Sequence, residues 1–189
     1  MSRDPDRDPA EEHRRIAAEF TATVEGADPA AWDHPAPPEG WVARDVVRHL
    51  VEWFPAFLAG SVGIDLPAGP SVDEDPAGAW RTQADAVQAL LDDPAVAGAE
   101  HEFPHMGTMP LEQVVDRIYT TDVFLHRWDL ARATGQDERL DPRKCAEVLE
   151  GSLPMEDAMR ASGHYGPRVE VPDDADVQTK LLAFLGRVP

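Results

Sequence analysis

Asp122 and His126 stand four residues apart in the longest helical segment of this 189-residue sequence. On a helix that separation stacks two side chains on adjacent turns, where they can converge on one point. A carboxylate and an imidazole so placed form the two-ligand arrangement of several helical zinc sites, here as D-x-x-x-H. A third ligand has to come from another segment. The candidate is His49, within Asp45-Val-Val-Arg-His-Leu-Val-Glu-Trp53, on the flank of an apolar face made by Val46, Val47, Leu50, Trp53, Phe54 and Phe57. Two imidazoles and one carboxylate suit Zn²⁺, with Ni²⁺ or Fe²⁺ compatible, and three ligands leave a position open for chemistry. Asp129, one turn past His126, is placed to accept the second ring N–H of a ligating histidine or to pair with an arginine. The alternative is a buried Asp122–His126 hydrogen-bonded pair with His49 an ordinary boundary residue. Spacing alone leaves both readings open.

Other residues offer less, and none is assigned as a general acid, base or nucleophile. His101 and His105 fall in a connector that can reach a pocket mouth. His105 is a weak candidate for holding substrate or thiol, against the plainer reading of a solvated loop histidine. Arg81, after Trp80, is a second weak candidate, for an anionic substrate, against an exposed helix arginine. His13, His34 and His164 read as surface residues, the tryptophans as core or connector anchors, and Cys145, near Val148 and Leu149, as a packed thiol. A single cysteine excludes a disulfide scaffold and any zinc site of several thiolates. There is no Walker loop, Rossmann glycine fingerprint, G-x-S-x-G elbow or C-x-x-C.

Amphipathic helices have to position these residues. Proline and glycine cut the chain into helical segments with no alternating β pattern of any length. The segments are about Pro9 to Gly26, Trp41 to Leu58, Ala77 to Leu91, Leu111 to Ala133, and Pro142 to Ala161, with a short last helix from Asp176 to Leu185. At about 100° per residue, Leu111, Val114, Val115, Ile118 and Leu125 form one stripe, and Asp122, His126 and Asp129 project from within or beside it. A buried carboxylate without a partner costs several kcal/mol, so those polar residues need one another or a cation. Long amphipathic helices with irregular connectors predict an all-α helix bundle, whose metal sites are built from side chains on facing helices.

Composition narrows the functions. There are 36 acidic against 17 basic side chains, a net charge of −19. That balance repels phosphate backbones and anionic lipid heads, so neither nucleic acid nor membrane is expected as a partner. The uncharged run Trp53 to Ile64 is too short to span a bilayer, and Met1 to Pro9 lacks the apolar core of a signal peptide. A reduced, cytoplasmic location is expected. So is a charged, flexible arm over residues 1–8, followed by a single helical domain over 9–189. The oligomeric state stays open, a homodimer included.

Two stretches resemble a known family. Trp32-Asp33, Glu39-Gly40-Trp41, Arg44-Asp45-Val46 and His49-Leu50 form one. Asp122-Val-x-x-His126-x-Trp128-Asp129-Leu130-Ala131-Arg132-Ala133-Thr134-Gly135 forms the other. Both resemble the DinB-like, mycothiol-dependent maleylpyruvate isomerase metal-binding family. The tail Leu181-Leu182-Ala183-Phe184-Leu185-Gly186-Arg187 is similar to the ending of its short actinobacterial members. The resemblance implies a DinB-like four-helix bundle with a metal triad at His49, Asp122 and His126. It also implies transferase or isomerase chemistry on a small electrophile with a low-molecular-weight thiol, mycothiol in actinobacteria. A metal-dependent hydrolase using the same open site, and a non-enzymatic metal-stabilised binding or stress-response module, are the alternatives. Asp122 is one methylene shorter than the isomerase's glutamate, Pro38 stands where many relatives carry cysteine, and the isomerase's second domain is expected to be absent. What carries over is thus the class of chemistry, not the maleylpyruvate reaction.

Overall fold

Asp-Pro pairs start five of the helical segments. At Asp8-Pro9, Asp28-Pro29, Asp75-Pro76, Asp93-Pro94 and Asp141-Pro142 the aspartate side chain accepts a first-turn backbone N–H, and the proline opens the helix. The carboxylate satisfies a donor that has no intrahelical partner, and proline brings no N–H of its own to leave unpaired. The computed structural model describes residues 8–104, 106–163 and 165–189. The arm expected over residues 1–8 lies outside them, Asp8 apart.

Helix α1 (Pro9–Glu25) is followed by a 3₁₀ turn, Pro29–Asp33, and by α2 (Ala43–Val62). Asp45 Oδ2 accepts the Val42 N–H at 3.0 Å at the start of α2. Next come α3 (Pro76–Asp92) and the single turn α4 (Pro94–Ala97). The connector after them is not wholly irregular: β1 (Glu100–Phe103) and β2 (Gly107–Pro110) form an antiparallel hairpin with Phe103 opposite Gly107. Four-residue strands are too short for a period of two to stand out, which is why alternation did not reveal them. Buried Phe103 stacks on Phe57 of α2, ring centroids 5.9 Å apart, and so fixes the hairpin to the bundle.

The expected Leu111–Ala133 helix is one rod of three parts: α5 (Leu111–Val114), a π-helical stretch (Val115–Thr120) and α6 (Thr121–Thr134). A π turn winds in more residues than an α turn and so rotates the faces of the helix beyond it. The single apolar stripe therefore does not hold across it. Ile118 is half-buried, whereas Tyr119, off that stripe, is fully buried. Gly135 ends the rod in the left-handed conformation, with Gln136 N–H reaching back to Ala131 O at 2.8 Å. The Pro142–Ala161 helix is also interrupted. Pro154 lies in a 3₁₀ turn, Leu153–Met155, between α7 (Pro142–Ser152) and α8 (Glu156–Ala161). The last helix is α9 (Val177–Phe184).

The molecule is an all-α, DinB-like four-helix bundle apart from the small hairpin. Helices α1 and α2 each pack between α3 and α6. Their buried side chains, among them Phe20, Leu50, Phe54, Trp80 and Phe124, share one core with Leu181, Leu182 and Phe184 of α9. His13 belongs to that core and not to the surface. It is fully buried, its Nδ1 2.9 Å from Thr120 Oγ1, because it precedes Ile16, Ala17 and Phe20 on the same inner face of α1. Cys145 is a buried free thiol whose pKa burial pushes up to about 12. Among the described residues no helix is long and apolar enough to cross a membrane.

Candidate metal centre

Facing turns of α2 and α6 bring His49, Asp122 and His126 together. One ligating atom from each lies within 4.8 Å of the other two. His49 Nε2 is 3.0 Å from Asp122 Oδ2, and His126 Nε2 is 3.4 Å from Asp122 Oδ1. The two imidazoles meet edge to face, centroids 4.8 Å apart. Side-chain exposure falls from 31% at His49 through 24% at Asp122 to 8% at His126, so the cluster opens to solvent on its α2 side.

Neighbouring side chains fix this geometry. Trp53 is four residues past His49 on the same face of α2, and its indole N–H donates to Asp122 Oδ2 at 2.9 Å. Trp41 stacks on His126 at 5.8 Å with 14° between planes and leans on His49 at 5.2 Å. The bridge from Pro35 to Val42 holds Trp41 there: Ala36 N–H donates to Trp41 O, and Ala43 N–H to His34 O. Behind His126, Nδ1 is 2.8 Å from Asp129 Oδ2. Arg187, two residues before the C-terminal residue, grips the same carboxylate with both prongs: Nε donates to Oδ1 at 2.8 Å and Nη2 to Oδ2 at 2.6 Å.

Burial opposes ionisation of Asp122, but His126, His49 and the Trp53 N–H outweigh it and hold its carboxyl below the usual carboxylate range. Burial opposes ionisation of Asp129 as well, and Arg187 and His126 bring its carboxyl down in turn. The Tyr165 phenol is pushed up, by burial first and by the negative Asp122 second.

The donor set fits a divalent cation. Zinc sits about 2.0–2.2 Å from N and O ligands, which spaces donors on a tetrahedral ion about 3.4 Å apart. His49 Nε2 and His126 Nε2 lie 3.0 and 3.4 Å from the two oxygens of Asp122, near that spacing. Among the described residues no fourth His, Cys, Asp or Glu joins the group.

Of the other candidates, His105 lies outside the described residues. Arg81 is exposed on α3, 3.5 Å from Glu25, and is not among the cluster's side chains. Trp53 was read only as part of the apolar face beside His49, although its i+4 step from that histidine could have marked it. Trp41 and Arg187 carried no such signal, since a bridge across a connector and a distant turn deliver them.

The sequence pattern described as the mycothiol maleylpyruvate isomerase N-terminal domain matches residues 13–131. Two proteins of Mycobacterium tuberculosis are similar to the chain. They are uncharacterized protein MT0763 of strain CDC 1551 / Oshkosh and uncharacterized protein Rv0738 of strain ATCC 25618 / H37Rv. Each is 29% identical over 185 residues, covering 95% of this chain and 98% of its own length. No solved structure matches.

Proposed function

The chain belongs to the mycothiol maleylpyruvate isomerase N-terminal domain family, and from that premise we propose that it is a divalent-metal, thiol-dependent S-transferase or isomerase acting on a small electrophile. Zinc is the first candidate for the metal and a mycothiol-type thiol for the cosubstrate. The convergence of His49, Asp122 and His126 at a solvent-reached point carries the reading. Three ligands with an accessible side favour a reactive site over a structural one, where four protein ligands close the metal off.

A dication bound there supplies the Lewis acidity that ionises a thiol at neutral pH, the free pKa of which is about 8.5. The protein does the rest. His49, Asp122 and His126 hold the cation. Trp53 keeps Asp122 Oδ2 engaged, which fixes the carboxylate's rotation. Trp41 lays an aromatic wall across both imidazoles and shields that side from water. The open side beside His49 is where thiol and electrophile enter and where the S–H proton leaves to solvent. A bond then forms from sulfur to the electrophilic carbon. In transfer the leaving group departs with its bonding pair, whereas in isomerisation the thiol is expelled again once the substrate has rearranged.

The test reconstitutes wild type and His126→Ala with zinc, then measures bound metal and the release of halide from a chromogenic aryl halide with and without mycothiol. Wild type is expected to hold one zinc per chain and to turn over only with thiol present, and the variant to lose both properties. A wild type that retains no zinc overturns the proposal. Turnover indifferent to thiol reassigns the site to hydrolysis.

A further inference from the structure

Asp129 is completely shielded from solvent, and both of its carboxylate oxygens accept hydrogen bonds from Arg187. A carboxylate in that position has to be compensated, and Arg187 brings a fixed positive charge against it. The compensating charge comes from 58 residues further along the chain, outside the 13–131 family match. The Arg187 side chain is only 13% exposed and makes the planar, two-pronged contact that a guanidinium alone among side chains can make.

The fold aims Arg187 specifically. Gly186, at φ +85°, ends α9 in the left-handed conformation. Arg187 N–H reaches back to Leu182 O at 2.9 Å and Gly186 N–H to Ala183 O at 3.1 Å, the paired bonds of a Schellman turn. A side chain at position 186 would lie 2.8 Å from the Gly166 backbone, so glycine is required twice over. Buried Leu181, Leu182, Phe184 and Leu185 anchor the turn in the common core.

We infer that Arg187 is a positioning residue of the metal centre: through Asp129 it holds the His126 ring with Nδ1 inward and Nε2 facing His49 and Asp122. This rests on the metal reading above. The carboxylate behind a ligating histidine sets that ring's tautomer and basicity, and disturbing it costs about 10- to 100-fold in metal affinity. Arg187 determines where that carboxylate stands, so the C-terminal segment completes a centre whose ligands all lie on α2 and α6.

The experiment titrates full-length wild type, Arg187→Met and Arg187→Lys with Co²⁺. It reads the dissociation constant, the visible d–d absorption bands and the far-ultraviolet circular dichroism. Arg187→Met is expected to keep its helical signal, to bind Co²⁺ about 10- to 100-fold more weakly and to shift the d–d bands. Arg187→Lys, which keeps the charge but not the fork, should fall between. Arg187→Met with wild-type affinity and bands overturns the inference while leaving the metal reading intact. If Arg187→Met does not fold, Arg187→Lys decides: weaker binding at full helicity supports the inference, and wild-type binding overturns it. A wild type that takes up no Co²⁺ overturns the metal reading and this inference with it.

Discussion

Asp122 receives a hydrogen bond from Trp53 on the same oxygen that His49 approaches. Replacing Trp53 with Phe keeps an aromatic ring against His49 and deletes that one donor. A hydrogen bond between side chains is worth about 1 kcal/mol net, so Trp53→Phe should cost roughly that in urea unfolding. Zinc affinity, followed by calorimetric titration, should fall about 10-fold or more, because Asp122 is then free to rotate. An unchanged affinity would mean that the indole does not orient the ligand. Residues at helical spacing were the legible ones: Asp122 to His126 and His49 to Trp53 are both i,i+4. His13 was misread by its polarity, although its spacing to Ile16, Ala17 and Phe20 placed it on the inner face. That Asp129 would pair with an arginine was legible, but which arginine was not, because Arg187 reaches it through a terminal turn and not through a period.

Helix ends were written more plainly than helix faces. The Asp8-Pro9, Asp75-Pro76 and Asp141-Pro142 starts and the Gly135 and Gly186 stops come from local chemistry and fall within a residue or two of the expected boundaries, whereas Asp28-Pro29 and Asp93-Pro94 open short helical turns inside stretches read as connectors. The π stretch had no such signature, since only a change of period betrays it, and it moved Tyr119 inward at the expense of Ile118. The bundle's neighbour order was equally closed to pattern. Gly135 gives a prediction at this scale. A Cβ there would meet nothing within 4 Å, so Gly135→Ala tests the backbone conformation alone. Left-handed alanine costs about 1 kcal/mol, so the melting temperature should fall by about 3 °C with zinc affinity unchanged. A variant as stable as wild type would show that α6 does not need this stop.

At the scale of the whole molecule the acid excess reads as solubility, yet part of it is structural. Asp8, Asp28, Asp75, Asp93, Asp141 and Asp176 cap helix starts, where the macrodipole favours negative charge. Two whole-molecule effects then compete on acidification. Protonating carboxylates relieves the repulsion behind a net charge of −19, but they begin to titrate only near pH 5. Above that, the buried His13 decides. Burial lowers its pKa from 6.5 to about 4, Asp116 partly opposing and Arg14 adding to the drop. A base whose pKa is lower folded than unfolded binds more protons in the unfolded state between the two values. The stability held by neutral His13 is therefore complete above pH 6.5 and is lost as the pH falls toward 4. From pH 7 to pH 5.5 the loss is about 1 kcal/mol. Urea unfolding across that range, in wild type and His13→Gln, should show the slope in the first and not in the second. Two parallel curves would mean that His13 is not the group in control.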